Sequence, residues 1–505
     1  MGVCRRCRWF AVLSLASLLG TACGANNSVK EAVKEGRPNG GSPQTSQAAP
    51  SGQDGASENT GAPVPAAPDA AGAPSPGSAA TPSSAPAAAA PKKGQSAAPT
   101  TQPRPSSAQS NPGAPTPGTP SPPATPGAPG AGGAPSMANT ASDVGVTPDS
   151  IKVGGYFILS GPLYDLAGKD PHRLWQSAIR YYNDAGGVNG RRYVANPIDS
   201  QIDCGPGMAS LRKAVEQDKI FGIAGSFNPY LTPCAGPYLE AGGVPSVPSD
   251  NIDPTVLAFK TTFGVGTTHY RYARIGVRYT LNEMGAKTVS VITHSDKLMD
   301  SVAQGANEVA GPALKSIERI AYDEGNLAPL VQRLRSTNPE AIYVYLNPDR
   351  VILLLQEMER QGYKPPKGIM GGASMVLDLI PQYVGKFAEG IQGMTWVAAT
   401  DSPAPGIKEI KTAVGRYAPD AHIDQYSAGG YAAFRLFHQV VKSLGANVTR
   451  KGVIDGFNKM TNFDNAGLEP PLTYRPDNRE ANRCMQIVGI KDGKWQFVKS
   501  WVCDN

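Results

Sequence analysis

The chain has 505 residues, and 47 Lys and Arg against 41 Asp and Glu leave it at +6. No basic run is dense enough to follow a nucleic-acid backbone. Past the N-terminus, no stretch is long and apolar enough to cross a membrane.

Residues 1–22 carry Arg5, Arg6 and Arg8, then an apolar run from Trp9 to Leu19. That run is too short to span a bilayer and has the layout of a secretory signal. It ends in "LGTAC" and resembles a bacterial lipoprotein signal, in which Cys23 is lipidated and becomes the mature N-terminus. An ordinary signal peptide cleaved nearby is the alternative. Either implies export; the first adds a lipid anchor on the outer face of the cell membrane. Of the seven cysteines, Cys4 and Cys7 fall in the signal and Cys23 carries the lipid. The remaining four form an even set in an oxidising compartment.

Residues 23–143 are expected to be a disordered tether. From Gly36 to Ala141 the chain is mainly Pro, Ala, Gly, Ser and Thr. Such a segment has too little apolar surface to offset its ordering entropy. A flexible coil of this length spans roughly 55–65 Å, and proline extends it.

Folding is expected from near Val144, and about 360 residues imply two lobes rather than one core. Strand signals fall at 151–157, 192–198, 219–225, 244–248, 288–293, 341–346 and 368–372. Helical signals fall at 172–184, 205–217, 268–284, 327–335, 349–361 and 424–445. This alternation predicts parallel sheets covered on both faces. The stretch "NDAGGVNGRR" (183–192) shows the punctuation. Leu174, Ala178, Ile179 and Tyr182 mark a helix face; Gly186 or Gly187 caps it, and Asn189-Gly190 turns the chain into the next strand.

This helix, "AGGVNGR" and strand unit resembles the type I periplasmic binding proteins, specifically the branched-chain amino-acid-binding (Leu/Ile/Val-binding-like) family of ABC importers. "GVTPDSIKVG" matches the family's opening and "LSGP" (159–162) its first loop. "KAVEQDKIFGIAGSF" (213–227), "YLEAGGVPSVPSD" (238–250) and "YTLNEMGAKTVSVIT" (279–293) follow in order. Each piece alone is weak; the ordered set is specific. The resemblance implies two doubly wound α/β lobes joined by three crossovers, near Phe263–Gly266, Val397–Asp401 and Leu472–Tyr474. Lobe 1 would comprise 148–265 and 400–471, and lobe 2 266–399 and 472–505. A small-molecule ligand would bind in the interlobe cleft, at the C-terminal ends of strands. Hinge closure would capture it for a membrane ABC permease. A monomer is the family default.

The family often has a disulfide where Cys204 stands, with Cys234 several residues beyond the usual partner position. Cys484 and Cys503 flank a hairpin. A turn at Gly493-Lys494 would place the two cysteines opposite each other, and a turn at Asp492-Gly493 would offset them by two residues. A pairing across lobes would hinder closure.

In the family, first-lobe hydroxyls and N–H groups hold an amino acid's carboxylate, and a second-lobe acid holds its ammonium. Here the first loop offers Tyr164. The second replaces a serine-rich stretch with Ser226, Phe227, Asn228, Pro229 and Tyr230, and the third offers Ser249, Asp250 and Asn251. In the second lobe, Met299 or Leu298 stands at the family's tyrosine position, and Asn347 replaces the next aromatic reader. The ammonium-binding acid should fall in "MGGASMV", where Ala373 aligns and Ser374 follows. Burying an ammonium without a partner costs several kcal/mol, of order 3–5. The ligand is therefore expected to be other than a simple α-amino acid: a small organic acid, an aromatic compound or an amide-bearing metabolite. Asp250, Asp296 or Asp300 could substitute for the missing acid.

The folded part holds no G-x-S-x-G, H-E-x-x-H, P-loop or dinucleotide glycine motif, so no enzyme and no cofactor is expected. His172, His269, His294, His422 and His438 are scattered, with no metal-ligand spacing. The long tether also suits a ligand-sensing or cell-wall-associated binding lipoprotein not coupled to transport.

Overall fold

The computed structural model describes residues 138–504, apart from residues 162, 163, 202, 251 and 252. The signal segment, Cys23, nearly all of the expected tether and Asn251 lie outside the described residues.

Two sheets organise the described chain. The first has the order β2-β1-β3-β4 and is parallel throughout, built from β1 (Ser150–Phe157), β2 (Arg192–Asp199), β3 (Gly222–Ala224) and β4 (Ser246–Val247). β1 is buried along nearly its whole length, as a central strand covered on both faces must be. Helices α1 (Lys169–Asp184), α2 (Cys204–Glu216) and α3 (Leu231–Ala241) make the crossovers.

The second sheet is seven-stranded, in the order β11-β10-β9-β8-β7-β5-β6. Five strands run parallel: β5 (Val289–His294), β6 (Leu314–Ile320), β7 (Ala341–Tyr345), β8 (Ile369–Gly371) and β9 (Gln392–Thr395). The hairpin of β10 (Cys484–Lys491) and β11 (Lys494–Cys503) joins antiparallel to β9. The helices of this half are α4 (His269–Asn282), α5 (Asp300–Ala310), α6 (Ala328–Thr337), α7 (Pro348–Arg360) and α8 (Leu379–Val384). The chain then continues through α9 (Pro405–Tyr417), α10 (Gln425–Ser443) and α11 (Arg450–Asn458); α9 and α10 both pack on α1.

The segment "AGGVNGRR" behaves as its composition predicts. Gly186 and Gly187 have φ of 100° and 71°, and Gly187 N donates to Tyr182 O at 2.8 Å, closing α1. Asn189 and Gly190 both have positive φ, and Val188 and Arg191 exchange backbone hydrogen bonds around them. A Cβ on Gly187 would fall 2.0 Å from Arg191 O, so glycine is obligatory there. Arg191 itself is fully buried, and no acid among the described residues pairs with it. Its guanidinium donates to the carbonyls of Thr147, Thr140 and Ala446 and to Asn139 Oδ1, at 2.8–2.9 Å. It thereby straps residues 139–147 to the N-terminal edge of the first sheet.

Three chain passages connect the two sheets, and Asn482 ties them together. It is fully buried, and its Nδ2 donates to Val265 O on the first passage and Trp396 O on the second, each at 3.0 Å. Tyr474, on the third, donates to Gly264 O at 2.8 Å.

Both bridges within lobes are present, Cys204–Cys234 and Cys484–Cys503. The hairpin reconciles the two alternatives left by the sequence. Lys491 pairs Lys494, so Asp492-Gly493 is the turn, with φ of 53° and 70°. Two register shifts between Met485 and Val488 absorb the offset of two, and Cys484 pairs Cys503 after all.

Candidate functional site

Parallel α/β sheets present ligands to loops at the C-terminal ends of their strands. In the first sheet these loops begin at Ile158, Gly225 and Pro248, and in the second at Ser295, Leu346 and Gly372. The loops meet across an aromatic seam. Phe227 and Tyr426 have ring centroids 4.6 Å apart, and Tyr426 and Trp396 5.3 Å. On the other side Tyr345 lies 4.9 Å from His269 and 5.6 Å from Tyr272. Tyr345 is close enough to feel Tyr426 and Tyr230 electrostatically.

The start of α10 crosses the seam. Gln425 Nε2 donates to Ala373 O and, at 3.3 Å, to Val376 O. His422 Nε2 lies 2.8 Å from Asp378 Oδ2. That carboxylate holds the imidazolium, so His422 titrates above its ordinary value.

The expected ligand readers divide into side chains that are occupied and side chains that remain open. Asn228 is fully buried and engaged. Its Nδ2 donates to Ser200 Oγ and Gln201 O, and its Oδ1 accepts from Tyr230 N and Leu231 N at the start of α3. Ser374 donates to Leu346 O at 2.6 Å. The backbone N–H of Asn347 donates to His294 Nε2 at 2.9 Å, so His294 is a neutral acceptor, and burial keeps it so. Met299 is buried at the start of α5, and Tyr164 is half-buried in a π-helical turn, Tyr164–Gly168. Phe227 forms the seam, and Ser226 is buried with its hydroxyl unpaired.

Asp250 follows β4, is 3% exposed, and has neither carboxylate oxygen hydrogen-bonded. The nearest donors are its own backbone N–H and the Thr232 hydroxyl, which is shared with Asn228 O and Tyr156, and neither makes a well-formed bond to the carboxylate. Burial pushes the Asp250 carboxyl up to about 7. His269 Nδ1 and Trp396 Nε1 are also buried and unpaired, and burial holds His269 neutral, its value lowered to about 3. Of the other acids considered from sequence, Asp296 caps Leu298 N and Met299 N, and Asp300 pairs with Arg319 at 2.8 Å. The Trp396, Tyr426 and His269 contributions were missed by sequence reasoning because they come from crossover and helix starts rather than strand-end loops. No group of three or more His, Cys, Asp or Glu among the described residues could hold a metal.

A family model for the periplasmic binding protein matches residues 150–494, more than half of the chain. The chain belongs to the periplasmic binding protein family. Among relatives, it is 23% identical over 396 residues to Leu/Ile/Val-binding protein homolog 7 of Brucella abortus, covering 71% of this chain and 94% of the relative. Among solved structures it is similar to a fatty acid ABC transporter substrate-binding protein from Thermomonospora curvata, with TM-score 0.62, 21% identity, and 72% and 95% of the two chains covered. It is also similar to an ABC transporter solute-binding protein from R. palustris in complex with 4-hydroxybenzoate, with TM-score 0.61, 17% identity, and 70% and 98% covered. At these identities the likeness to solved structures establishes the fold, that of the type I, branched-chain amino-acid-binding-like clamshell.

Proposed function

We propose that this periplasmic binding protein is an exported, lipid-anchored solute receptor that captures a small molecule between its lobes and delivers it to a membrane ABC importer. The ligand is other than a simple α-amino acid. One observation carries that restriction: the 373–376 loop, where the family's ammonium-binding acid should stand, holds no carboxylate, and Gln425 from α10 occupies its backbone carbonyls. The relatives' names span Leu/Ile/Val, a fatty acid and 4-hydroxybenzoate, so the scaffold accommodates ligands with and without an amino group.

The lobe boundaries proposed are 148–265 with 400–471, and 266–399 with 472–505. The three passages joined at Asn482 support them. Cys23 as the lipid-bearing residue rests on the signal-like "LGTAC" and the 23–143 tether on composition; the last residues of that span, 139–143, are held against the first half by Arg191, Val448 and Arg450. Growth-linked uptake in a deletion strain tests the transport assignment. Loss of uptake of one compound class is expected; unchanged uptake with lost signalling or adhesion would make the protein a sensor or wall-associated receptor instead.

A further inference from the structure

Buried carboxyl groups are normally paired. Asp250 has no ion-pair partner and no well-formed hydrogen bond to either oxygen, only the Thr232 hydroxyl and its own N–H nearby, and its surroundings narrow what could pair it. The two residues before it are held in place: Ser249 N and Ser249 Oγ both bond Ser226 O, and Val265 N on the first passage bonds Pro248 O at 3.2 Å. No lysine or arginine is among the groups acting on the Asp250 carboxyl. It lies within electrostatic reach of Tyr156 in β1 and of Tyr272 in α4, between the first sheet and a helix of the second half. Around it the seam is aromatic rather than hydroxyl-rich. Ser249 Cβ and Trp396 Nε1 both lie 3.2 Å from where a Cβ on Gly429 would be, so the Trp396 ring approaches Asp250's own loop.

We propose that Asp250 is the polar contact for ligand in this cleft, accepting N–H groups of a carboxylate-free amine or amide whose apolar body lies against Phe227, Tyr426 and Trp396. This deepens the solute-receptor reading and rests on it. A ligand carboxylate beside ionised Asp250 would meet like charge with no cation to offset it. An N–H donor would instead satisfy oxygens that the protein leaves open. Aromatic faces favour a cation over a neutral group, and they accept either. The amino-group clamp has thus moved from the second lobe to the third loop of the first.

The test uses the full-length chain, unfolded and refolded to remove bound solute, and melting shifts with matched triples. These are benzylamine, benzamide and benzoate, and 3-methylbutylamine, 3-methylbutanamide and 3-methylbutanoate. The amine or amide of a triple is expected to raise the melting temperature by about 2–4 °C at saturating concentration, and its acid to have no effect. Asp250→Asn, which keeps the shape, is expected to weaken an amine by about tenfold or more. It should weaken an amide less, because the Asn oxygen still accepts, so the two arms separate a cationic from a neutral ligand. Asp250→Ser should give the same ranking if Asp250→Asn fails to fold. A response from the acids alone, undiminished binding in the variants, or silence of every amine and amide overturns the assignment. Binding of the acids would leave the solute-receptor reading standing, and the uptake experiment decides that reading separately.

Discussion

At the scale of single residues, Asp250 contributes to the protein's response to pH. In the unfolded chain the group titrates near its ordinary value of 3.8, and in the fold near 7. The folded pKa of this acid is raised, so the unfolded state releases its proton first as pH rises. Stability should therefore fall by up to ~1.4 kcal/mol per pH unit between about pH 4 and 7, and then level off. Glu469, fully buried and pushed up to about 8, acts in the same direction from about 4.5 upward. Denaturant titrations at pH 5 and pH 7 should show a shallower decline for Asp250→Asn than for the wild type. An equal decline would mean that the carboxyl ionises freely in the fold. Asp250 stood in the sequence as one of three substitute acids, because residue type alone does not reveal which carboxyl is buried without a partner.

Elements show a similar limit. Asn228 was read as a ligand contact from its place in the second loop. Its side chain also supplies the start of α3, satisfying two N–H groups that a helix leaves open. Asn228→Ala is expected to cost about 2 kcal/mol in urea unfolding, with the lost bonds to Ser200 and Gln201 included. Unaltered stability with lost ligand affinity would restore the ligand-contact role. The hairpin makes a second prediction at this scale. Cys484→Ser opens a loop of 19 residues, which on the chain-entropy model lowers stability by about 3 kcal/mol; a change below about 1 kcal/mol would mean that β9 pairing alone fixes the hairpin.

The central parallel strands were legible because they are short apolar runs bounded by glycine and proline. β6 was not: "LKSIERI" alternates apolar with charged residues as an edge strand does, and it follows a Gly-Pro break. α3 was hidden by Pro233 and Pro237 within "LTPCAGPYLEA". β9, with only four residues, acquires meaning from its neighbours β8 and β10, which no local window sees.

At the scale of the whole molecule, the contacts across the seam are expected to set the balance between open and closed forms. The His422–Asp378 pair spans it, with Asp424 and Asp170 also acting on the imidazole. Because pairing raises the histidine above its ordinary 6.5, its contribution to closure is full below that value and is lost as pH rises through the raised one. The pair is half-exposed, so the effect is expected to be small, about twofold in the closed population. A dye pair with one label on each lobe should report more open protein at pH 8 than at pH 6, and His422→Gln should remove the difference. A pH-independent signal in the wild type would assign closure to Gln425 and the aromatic seam alone. The ordered family motifs announced this two-lobed layout; the residues that bridge it, from α10 and the 373–378 segment, are far apart in sequence and gave no local sign of meeting.

The Arg191 strap has a mechanical meaning. It grips residues 139–147 at the edge where β1 begins, while the cleft opens where β1 ends, about 25 Å along an eight-residue strand. A pull on the chain ahead of residue 139 is therefore received by three hydrogen bonds of Arg191 at the base of one lobe and passes into its sheet. The hinge lies off that line of force. If the chain is anchored ahead of residue 139 as proposed, the lobes could open and shut without pulling on that attachment.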